Sequence, residues 1–301
     1  MTTVALVFLA AASAQAPPPP TFAVGVEAVY VDVFVTDANR PVTGLTEADF
    51  DLKDDGARQH VEIVAVESLP LTTFLVLDTS ESVVGERLVQ LQAAARGLLG
   101  GLRAGDQAGL VTFDHEIRVR VSPTGDRVRL ERGVNGILAG GSTALFDAVY
   151  AGTMLASGRG RSLLVVFTDG EDNMSWLEPE QVRRVLEESN VLVQAVGVVS
   201  ASEATAPSYR SSRQPPGEPP HVRVLRQLAE VTGGEFWPAA SPDKLAEAFL
   251  AILDAMKTRY VLRFQPARVR REGLHQLEVK LTRRKGKVHC RKAYFVGPTT
   301  P

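Results

Sequence analysis

The sequence predicts an α/β protein in which a doubly wound, mainly parallel sheet is inserted into a smaller β-sandwich-like domain built from both ends of the chain. Between residues 70 and 258, short apolar runs alternate with amphipathic stretches, which is typical of a parallel sheet covered by helices on both faces. Residues 22–69 and 259–301 instead alternate apolar and polar side chains at a period of two, which indicates half-buried strands. Neither end has enough strands for a stable core, so we expect the two ends to pair.

The central elements follow one another in a regular order. Apolar runs predict strands at 72–80, 107–114, 162–170, 191–199 and 235–237. Amphipathic periodicity predicts helices at 86–102, 143–157, 178–190, 221–234 and 242–259. Residues 200–221, rich in Ser, Pro and Ala, predict a flexible surface loop within this region.

The terminal segments carry their own strand patterns. Val29, Val31, Val33 and Val35 share one face of a strand at 28–37, and a second strand is expected at 60–68. At the other end, strands are expected at 260–264, 277–281 and 288–296. Cys290 lies in the last of these, where an apolar role is favoured over a reactive thiol. As the single cysteine of the chain, it excludes an intrachain disulfide and a cysteine metal cluster.

The N-terminus predicts export. Residues 1–14 combine an apolar core at 4–12 with the small residues Ala12-Ser13-Ala14, as in a secretory signal peptide, and a Pro-rich spacer follows at 15–21. The first three residues lack the usual basic residue, which leaves a disordered or weakly anchoring N-terminus as the alternative. No apolar run reaches the length of a membrane span, so we expect a secreted protein or one located in the periplasm or cell envelope, without a transmembrane segment.

The composition and net charge limit the classes of partner that the chain can attract. The 301 residues are 45% apolar and 23% charged, with a formal net charge of −2, as in an ordinary globular protein of two domains. A net charge this small provides no long-range attraction to nucleic acid or to an anionic membrane. We therefore expect no nucleic-acid partner, and any attraction to anionic surfaces must be local.

Oxygen-bearing side chains follow two of the predicted strands. Asp78, Ser80 and Ser82 occupy alternate positions after the apolar run 74–77 of the first central strand, Thr143 begins a helix, and Asp169 follows the run LLVVFT of a later strand. Ligands of such sheets bind beyond the carboxyl ends of the strands. A donor set of oxygens alone suits Mg²⁺, with Mn²⁺ tolerated and Ca²⁺ less favoured. The alternative is that Ser80 and Thr143 cap helices and that Asp169 shapes a turn.

In these residues the sequence resembles a known family. Residues 70–258 resemble a von Willebrand factor type A domain, and Asp78-x-Ser80-x-Ser82, Thr143 and Asp169 match its metal ion-dependent adhesion site. The flanking segments 29–56 and 258–264 resemble the acidobacterial group of VWFA-related proteins.

The resemblance implies both a fold and a function. It implies a Rossmann-like central sheet, a metal held by Asp78, Ser80 and Ser82, and a coordination shell completed directly or through water by Thr143 and Asp169. It also implies a metal-dependent protein-binding module for adhesion or assembly, in which an Asp or Glu of a protein partner binds the metal and no bond is broken.

Enzymatic alternatives receive less support. Aspartyl-nucleophile phosphatases need a second Asp two residues after the first, and Ser80 occupies that position here. We therefore expect no enzyme, with a Mg²⁺-dependent hydrolase as the less favoured alternative. His115 is the histidine placed to be a neighbour of the site, although an ordinary loop role is favoured. Glu81, Glu171 and Asp172 either tune cation affinity and repel acidic ligands or are solvated loop acids.

The C-terminal segment is strongly basic. Its basic residues far outnumber its two acids, Glu272 and Glu278. This excess indicates either a solvated strand face or docking to an anionic envelope surface. The latter would suit an envelope structural or assembly protein that uses the central domain as a scaffold. The basic residues are Lys257, Arg259, Arg263, Arg268, Arg270, Arg271, Lys280, Arg283, Arg284, Lys285, Lys287, Arg291 and Lys292.

Overall fold

The computed structural model describes residues 28–38, 40–199, 218–241, 244–270 and 272–297. The expected signal peptide and Pro-rich spacer lie outside the described residues, as do residues 200–217 of the expected loop. The last two residues of that loop, 220 and 221, belong to a helix that begins at Pro220. Among the residues described, no helix combines the length and apolar character that crossing a membrane requires.

The described residues form strands and helices that we number in chain order. The strands are β1 (Val29–Asp37), β2 (Arg40–Pro41), β3 (Phe50–Asp54), β4 (Ala57–Gln59), β5 (Glu62–Val64), β6 (Leu71–Asp78), β7 (Gln107–Phe113), β8 (Ile117–Thr124), β9 (Arg161–Thr168), β10 (Val191–Val198), β11 (Phe236–Ala239), β12 (Tyr260–Phe264), β13 (Gly273–Leu281), β14 (Lys287–His289) and β15 (Ala293–Val296). The α-helices are α1 (Glu86–Gly100), α2 (Arg127–Asn135), α3 (Leu145–Ala156), α4 (Pro179–Glu188), α5 (Pro220–Val231) and α6 (Leu245–Lys257).

A six-stranded sheet with helices on both faces forms the centre of the molecule. Its strand order is β11-β10-β9-β6-β7-β8, and all pairs are parallel except β7 with β8. In β6, Leu75 and Leu77 pack in a core with α1, α2 and α6, whereas Phe74 and Val76 pack in a second core with α3, α4 and α5. Side chains alternate across a strand, so an unbroken apolar run fills both cores. The predicted doubly wound sheet is confirmed.

Two central elements, β8 and α2, were absent from the prediction. β8 is an exposed edge strand in which basic residues such as Arg118 and Arg120 alternate with apolar ones, so it lacks the apolar run of a buried strand. In α2, Leu130 and Val134 are the buried residues, and Asp126 caps the helix by accepting a hydrogen bond from the backbone N–H of Arg129. Both elements therefore have weak apolar signals.

Two antiparallel sheets built from both ends of the chain pack into the smaller β-sandwich. One has the order β14-β1-β12-β5, with β2 paired to β1, and the other has the order β15-β13-β3-β4. Val31, Val33, Leu52 and Leu262 are fully buried between them. The central sheet is inserted between β5 and β12, as predicted. Cys290 is partly buried against this core, and burial raises the pKa of its thiol to about 11.

The strands of the sandwich differ from the prediction in length and in partner, and β13 begins at Gly273 where 277 was expected. The strand expected at 60–68 is limited to β5 and is followed by a three-residue 3₁₀ turn at Val66–Ser68. The strand expected at 288–296 divides into β14 and β15. The division places β14 beside β1 and β15 beside β13, in different sheets.

Buried arginines join the sandwich to the amino edge of the central sheet. Arg161, the first residue of β9, donates to both carboxylate oxygens of Asp32 in β1, with an Nη2–Oδ1 distance of 2.7 Å. Arg259 lies 3.7 Å from the same carboxylate and donates to a backbone carbonyl before β11 at 2.7 Å. Arg291 donates to the turn before β10. Burial lowers the pKa of Arg259 and lowers that of Arg291 to about 10.

The basic C-terminal segment thus divides into two groups. Arg259 and Arg291 are buried at this junction, and Arg263 and Arg270 are paired with carboxylates of the sandwich. In contrast, residues 283–286, in the turn between β13 and β14, and Lys287, the first residue of β14, are exposed. The sequence could not separate the two groups because the charge pattern is the same in both.

Candidate metal site

The five predicted metal residues lie at the carboxyl edge of the central sheet. Asp78 is the last residue of β6, and Ser80 and Ser82 follow in the adjoining turn. Asp169 directly follows β9, which is the parallel neighbour of β6. Thr143 lies two residues before α3. Because neighbouring parallel strands end at the same edge, the Asp78 and Asp169 loops are brought side by side.

Hydrogen bonds connect four of these residues. The hydroxyl oxygens of Ser80 and Ser82 lie 3.1 Å apart, and Ser82 Oγ donates to Asp169 Oδ1 at 2.6 Å. Asp78 Oδ1 accepts from the backbone N–H of Ser80 at 2.9 Å, and Oδ2 accepts from Thr168 Oγ1 at 2.6 Å. Thr168 was not predicted as part of the site, although it directly precedes Asp169.

Asp78 is fully buried and receives hydrogen bonds only from an amide and a hydroxyl within the described residues. Burial raises the pKa of its carboxyl group above the usual value, and the nearby charge of Asp169 acts in the same direction. The hydrogen bonds from Thr168 and Ser80 oppose this shift. A cation bound beside Asp78 would favour the ionised carboxylate, because an opposite charge compensates the loss of solvation.

Thr143 is fastened to the loop that follows Asp169. Its backbone N–H donates to Asn173 Oδ1 at 2.9 Å, and its carbonyl accepts from the N–H groups of Asn173 and Met174 at 3.0 and 3.1 Å. Thr143 is buried, and its hydroxyl makes no hydrogen bond to another described residue. The oxygen therefore stays available to a ligand beside the Asp169 loop.

Two glycines let the loop before Thr143 approach the Asp78 turn. Gly140 N–H donates to the carbonyl of Thr79 at 2.7 Å, and the carbonyl of Gly141 accepts from Glu81 N–H at 2.9 Å. Gly141 has φ +93°, and a Cβ there would lie 2.6 Å from His115 Nδ1. Only glycine fits this conformation and this close approach. His115 is therefore a neighbour of the site that packs against this loop.

Arg87, in the first turn of α1, was not predicted as part of the site. Its Nη1 donates to Asp169 Oδ2 at 2.7 Å and to the backbone carbonyl of Ser82 at 3.1 Å. The side chain of Asp169 is 1% exposed, whereas that of Arg87 is 46% exposed. Asp169 thus has a cationic partner within the chain, whereas Asp78 has none among the described residues.

The additional acids have separate roles. Asp172 accepts from the backbone N–H groups of Phe146 and Ser175, so it shapes the loop after β9. Glu171 is exposed and lies 3.3 Å from His221 Nδ1. Glu81 is also exposed. These positions favour a turn-forming role for Asp172 and solvated roles for the two glutamates.

The donor atoms fit a Mg²⁺ ion. Neighbouring ligands of an octahedral Mg²⁺ site, with bonds of about 2.1 Å, lie about 3 Å apart, and the hydroxyls of Ser80 and Ser82 are separated by 3.1 Å. The set contains carboxylate and hydroxyl oxygens, which suit a hard cation. Asp169 lies behind the hydroxyl of Ser82, which fits a role through a hydrogen bond to the coordinating groups.

A second acidic cluster lies in the β-sandwich, where Asp54, Asp55 and His275 come within metal-binding distance of one another. His275 Nδ1 lies 3.0 Å from Asp54 Oδ1, and Tyr294 donates to Asp54 Oδ2 at 2.6 Å. Arg270 pairs with Asp55 at 2.8 Å. These contacts join β3, β13 and β15, so a structural role accounts for the cluster.

Comparisons with known proteins agree with this geometry. Residues 73–171 match the family model of the von Willebrand factor type A domain, which confirms the expected resemblance to this domain. An uncharacterised protein of Synechocystis is 30% identical over 110 residues, covering 35% of this chain and 26% of that protein. A UPF0353 protein of Mycolicibacterium vanbaalenii is 24% identical over 194 residues, covering 58% of this chain and 57% of that protein.

A solved structure supports the fold. The von Willebrand factor type A protein from Catenulispora acidiphila superposes with a TM-score of 0.50 over 87% of this chain and 76% of that chain, at 13% identity. At this identity the similarity concerns the fold alone. The chain spans about a quarter and just over half of the lengths of the two curated relatives.

Proposed function

Since residues 73–171 match the family model of the von Willebrand factor type A domain, we propose that this chain is an exported, divalent-metal-dependent protein-binding module. The observation that carries this proposal is the convergence of Asp78, Ser80, Ser82 and Asp169 through contacts of 2.6 to 3.1 Å at one sheet edge. Thr143 contributes a hydroxyl without a hydrogen-bond partner among the described residues. We propose Mg²⁺ as the ion, with Mn²⁺ as a substitute.

The charge of the site favours an acidic partner. Asp78 and Asp169 together balance the charge of Mg²⁺, and the guanidinium of Arg87 adds one positive charge beside Asp169. The hydroxyls of Ser80 and Ser82 are neutral ligands and do not change this balance. When bound, the metal supplies a coordination position that a carboxylate can fill, and the charges of the metal and of Arg87 beside that position attract an Asp or Glu of a protein partner.

The arrangement favours binding without bond breaking. Both carboxylate oxygens of Asp78 accept hydrogen bonds, Oδ1 from the backbone N–H of Ser80 and Oδ2 from Thr168 Oγ1, and these bonds hold the carboxylate in place. Ser80 replaces the acid that an aspartyl-nucleophile enzyme would place there. Adhesion or assembly is therefore the role that these residues support, with residues 70–258 as the binding unit and the paired segments 22–69 and 259–301 as its support.

The experiment is a calorimetric titration of the full chain with Mg²⁺ and Mn²⁺. We expect binding by the wild type and by Glu171→Gln, and loss of binding in Asp78→Ala. Glu171 is the matched control because it is an acid of the same edge that contacts none of the donor residues. Equal binding by Asp78→Ala would place the metal elsewhere, and an absence of binding by the wild type would contradict metal dependence.

A second contact is supported by the exposed basic turn between β13 and β14. Arg283, Arg284 and Lys285 are exposed in this turn and Lys287 is exposed at the start of β14, unlike the buried arginines of the same segment. We propose that this turn attracts an anionic envelope surface. Sedimentation with phosphatidylglycerol vesicles should fall as salt rises and should be lost when Arg283 and Arg284 are replaced by Gln; binding unchanged by either condition would exclude the turn.

A further inference from the structure

Exposed apolar side chains border the metal residues. Trp176 is 94% exposed and Met174 is 53% exposed, and both lie in the loop that follows Asp169. Val84 and Leu138, at 50% and 85% exposure, lie in the loops that contain Ser82 and that lead to Thr143. Other exposed apolar side chains are spread over the molecule, but these four lie in the loops that carry the metal donors, and Trp176 is the most exposed of all the large apolar residues described, which points to a contact with another molecule.

The exposure of Trp176 belongs to a fixed loop. Its backbone N–H donates to Asp147 Oδ2 at 3.0 Å, and that of Leu177 donates to Asp147 Oδ1 at 3.0 Å. Ser175 Oγ donates to Asp172 and accepts from the first turn of α3. The loop is therefore anchored on both sides of Trp176, and these contacts hold the backbone while the indole projects into solvent.

The loop is directly connected to the donor residues. Met174 N–H donates to the carbonyl of Thr143 at 3.1 Å. Of the two apolar residues in this loop, Met174 is therefore in direct backbone contact with a proposed metal ligand. Met174 and Trp176 lie beside α3 on one face of the sheet, whereas Val84 precedes α1 on the other. Apolar side chains thus border the donor set on both sides.

We propose that Met174 and Trp176 form the specificity surface of the metal site and bind a bulky aliphatic or aromatic side chain within two residues of the partner's Asp or Glu. This inference rests on the proposed function and adds the sequence class of the ligand. Tryptophan dominates binding energies in protein interfaces because it buries a large, rigid apolar area.

Charge identifies a protein segment as the occupant. Glu81 and Glu171 are exposed at the same edge, and they repel an anionic bilayer that would otherwise accept an exposed indole. A protein segment supplies one carboxylate for the metal and one apolar side chain for Trp176, and it can place basic residues near the two glutamates. Neither a bilayer nor a purely apolar surface provides this combination.

The test selects short random peptides displayed on phage against the full chain in the presence of Mg²⁺. The wild type should enrich peptides in which Asp or Glu lies beside Leu, Ile, Phe or Trp. Trp176→Ser should keep the carboxylate preference and lose the apolar one, with a smaller loss for Met174→Ser. The matched control is Phe295→Ser, an exposed aromatic of β15, which should select the same peptides as the wild type.

The two levels of the proposal fail in different ways. Carboxylate peptides without apolar neighbours, or an apolar preference that survives in Trp176→Ser, would overturn the specificity surface and leave the proposed function intact. Peptides whose selection is unaffected by chelator and by Asp78→Ala would overturn the proposed function itself.

A spectroscopic readout identifies the occupant directly. The chain has two tryptophans, so 5-fluorotryptophan labelling gives two ¹⁹F signals, and Trp176→Ser identifies that of Trp176. A selected peptide should shift this signal in Mg²⁺, and the same peptide with Asp replaced by Asn should leave it unchanged. A shift caused by phosphatidylglycerol vesicles alone, or by raised protein concentration alone, would assign the surface to a bilayer or to a second copy and overturn the inference.

Discussion

The two edges of the central sheet differ in how they pair carboxylates that are shielded from solvent. At the amino edge, Asp32 meets Arg161 at 2.7 Å and Arg259 at 3.7 Å beneath the β-sandwich. At the carboxyl edge, Asp78 is fully buried and, among the described residues, receives only hydroxyl and amide donors. A charge that the chain pairs internally stabilises the fold, and a charge without a paired cation is available for a ligand. Asp78 is also the more deeply buried of the two carboxylates, although it is the one without a paired cation among the described residues.

The amino edge provides the prediction with the largest effect. Replacing Asp32 by Ala leaves Arg161 and Arg259 buried without their carboxylate, because their side chains are 9% and 0% exposed. Loss of one partner from a buried pair costs about 3 to 5 kcal/mol. We expect the free energy of unfolding, measured by urea denaturation, to fall by this amount.

The matched control for Asp32 is Asp51→Ala. Asp51 has a similarly buried side chain, 22% exposed against 20% for Asp32, but its partner Arg58 is 71% exposed. An ion pair with an exposed partner contributes little, so this change should cost less than about 1 kcal/mol. If Asp32→Ala and Asp51→Ala lost equal free energy of unfolding, the buried arginines at the amino edge would not need Asp32 as a partner. The contrast between the two edges would then not hold.

His289 lies at the same junction and makes the stability of the fold depend on pH. Burial lowers the pKa of its imidazole to about 4, and the charges of Lys287 and Arg259 act in the same direction. The unfolded chain therefore takes up a proton near pH 6.5 that the folded chain does not accept until about pH 4. This contribution to stability is fully present above pH 6.5 and is lost as the pH falls towards 4.

The corresponding measurement compares unfolding free energies at pH 7 and pH 5 for the wild type and His289→Gln. The wild type should lose roughly 1 to 2 kcal/mol more than the variant between these values. The lower end of this range applies because Glu235, 3.4 Å from Nδ1, favours the protonated ring. Glutamine keeps an acceptor for Thr36, which shares a hydrogen bond with His289. If the unfolding free energies of the wild type and His289→Gln change equally with pH, the junction tolerates protonation of His289 and this prediction is wrong.

The sequence predicted those parts of the fold that depend on local apolar patterns. The run from Phe74 to Leu77 fills both cores and could be recognised as a buried strand without knowing its neighbours. β8 could not be recognised in this way. It alternates arginines such as Arg118 and Arg120 with apolar residues, and it forms a strand through its pairing with β7, which the local sequence does not reveal. Strand length also depended on partners, as in the short β5.

The site was predictable to the extent that strand ends determine it. Asp78 and Asp169 follow neighbouring parallel strands, so their order in the sequence was enough to place them at one edge. The pairing of Arg87 with Asp169 joins residues 82 positions apart, and that of Arg161 with Asp32 joins residues 129 apart. A sequence gives the charges of such pairs but not their distances, so neither ion pair was predicted.

Arg87 provides the last and smallest test, because it makes Asp169 the one carboxylate of the site that resembles Asp32. The guanidinium holds Asp169 and also places a positive charge beside the position of the metal. Replacing Arg87 by Gln removes a charge that repels Mg²⁺ and releases Asp169 Oδ2. For a half-exposed group this is worth about 1 kcal/mol, or roughly a fivefold tighter Kd for Mg²⁺, and the gain should shrink in high salt.

Arg96→Gln is the control for this charge change, since Arg96 lies on the same helix and bonds to Asn135 instead of a metal residue. It should leave the calorimetric Kd for Mg²⁺ unchanged. Weaker Mg²⁺ binding in Arg87→Gln would reverse the assignment, because the ion pair would then serve mainly to position Asp169. In that case the carboxyl edge would contain, like the amino edge, one carboxylate whose internal pairing is structural, and Asp78 alone would distinguish the two edges.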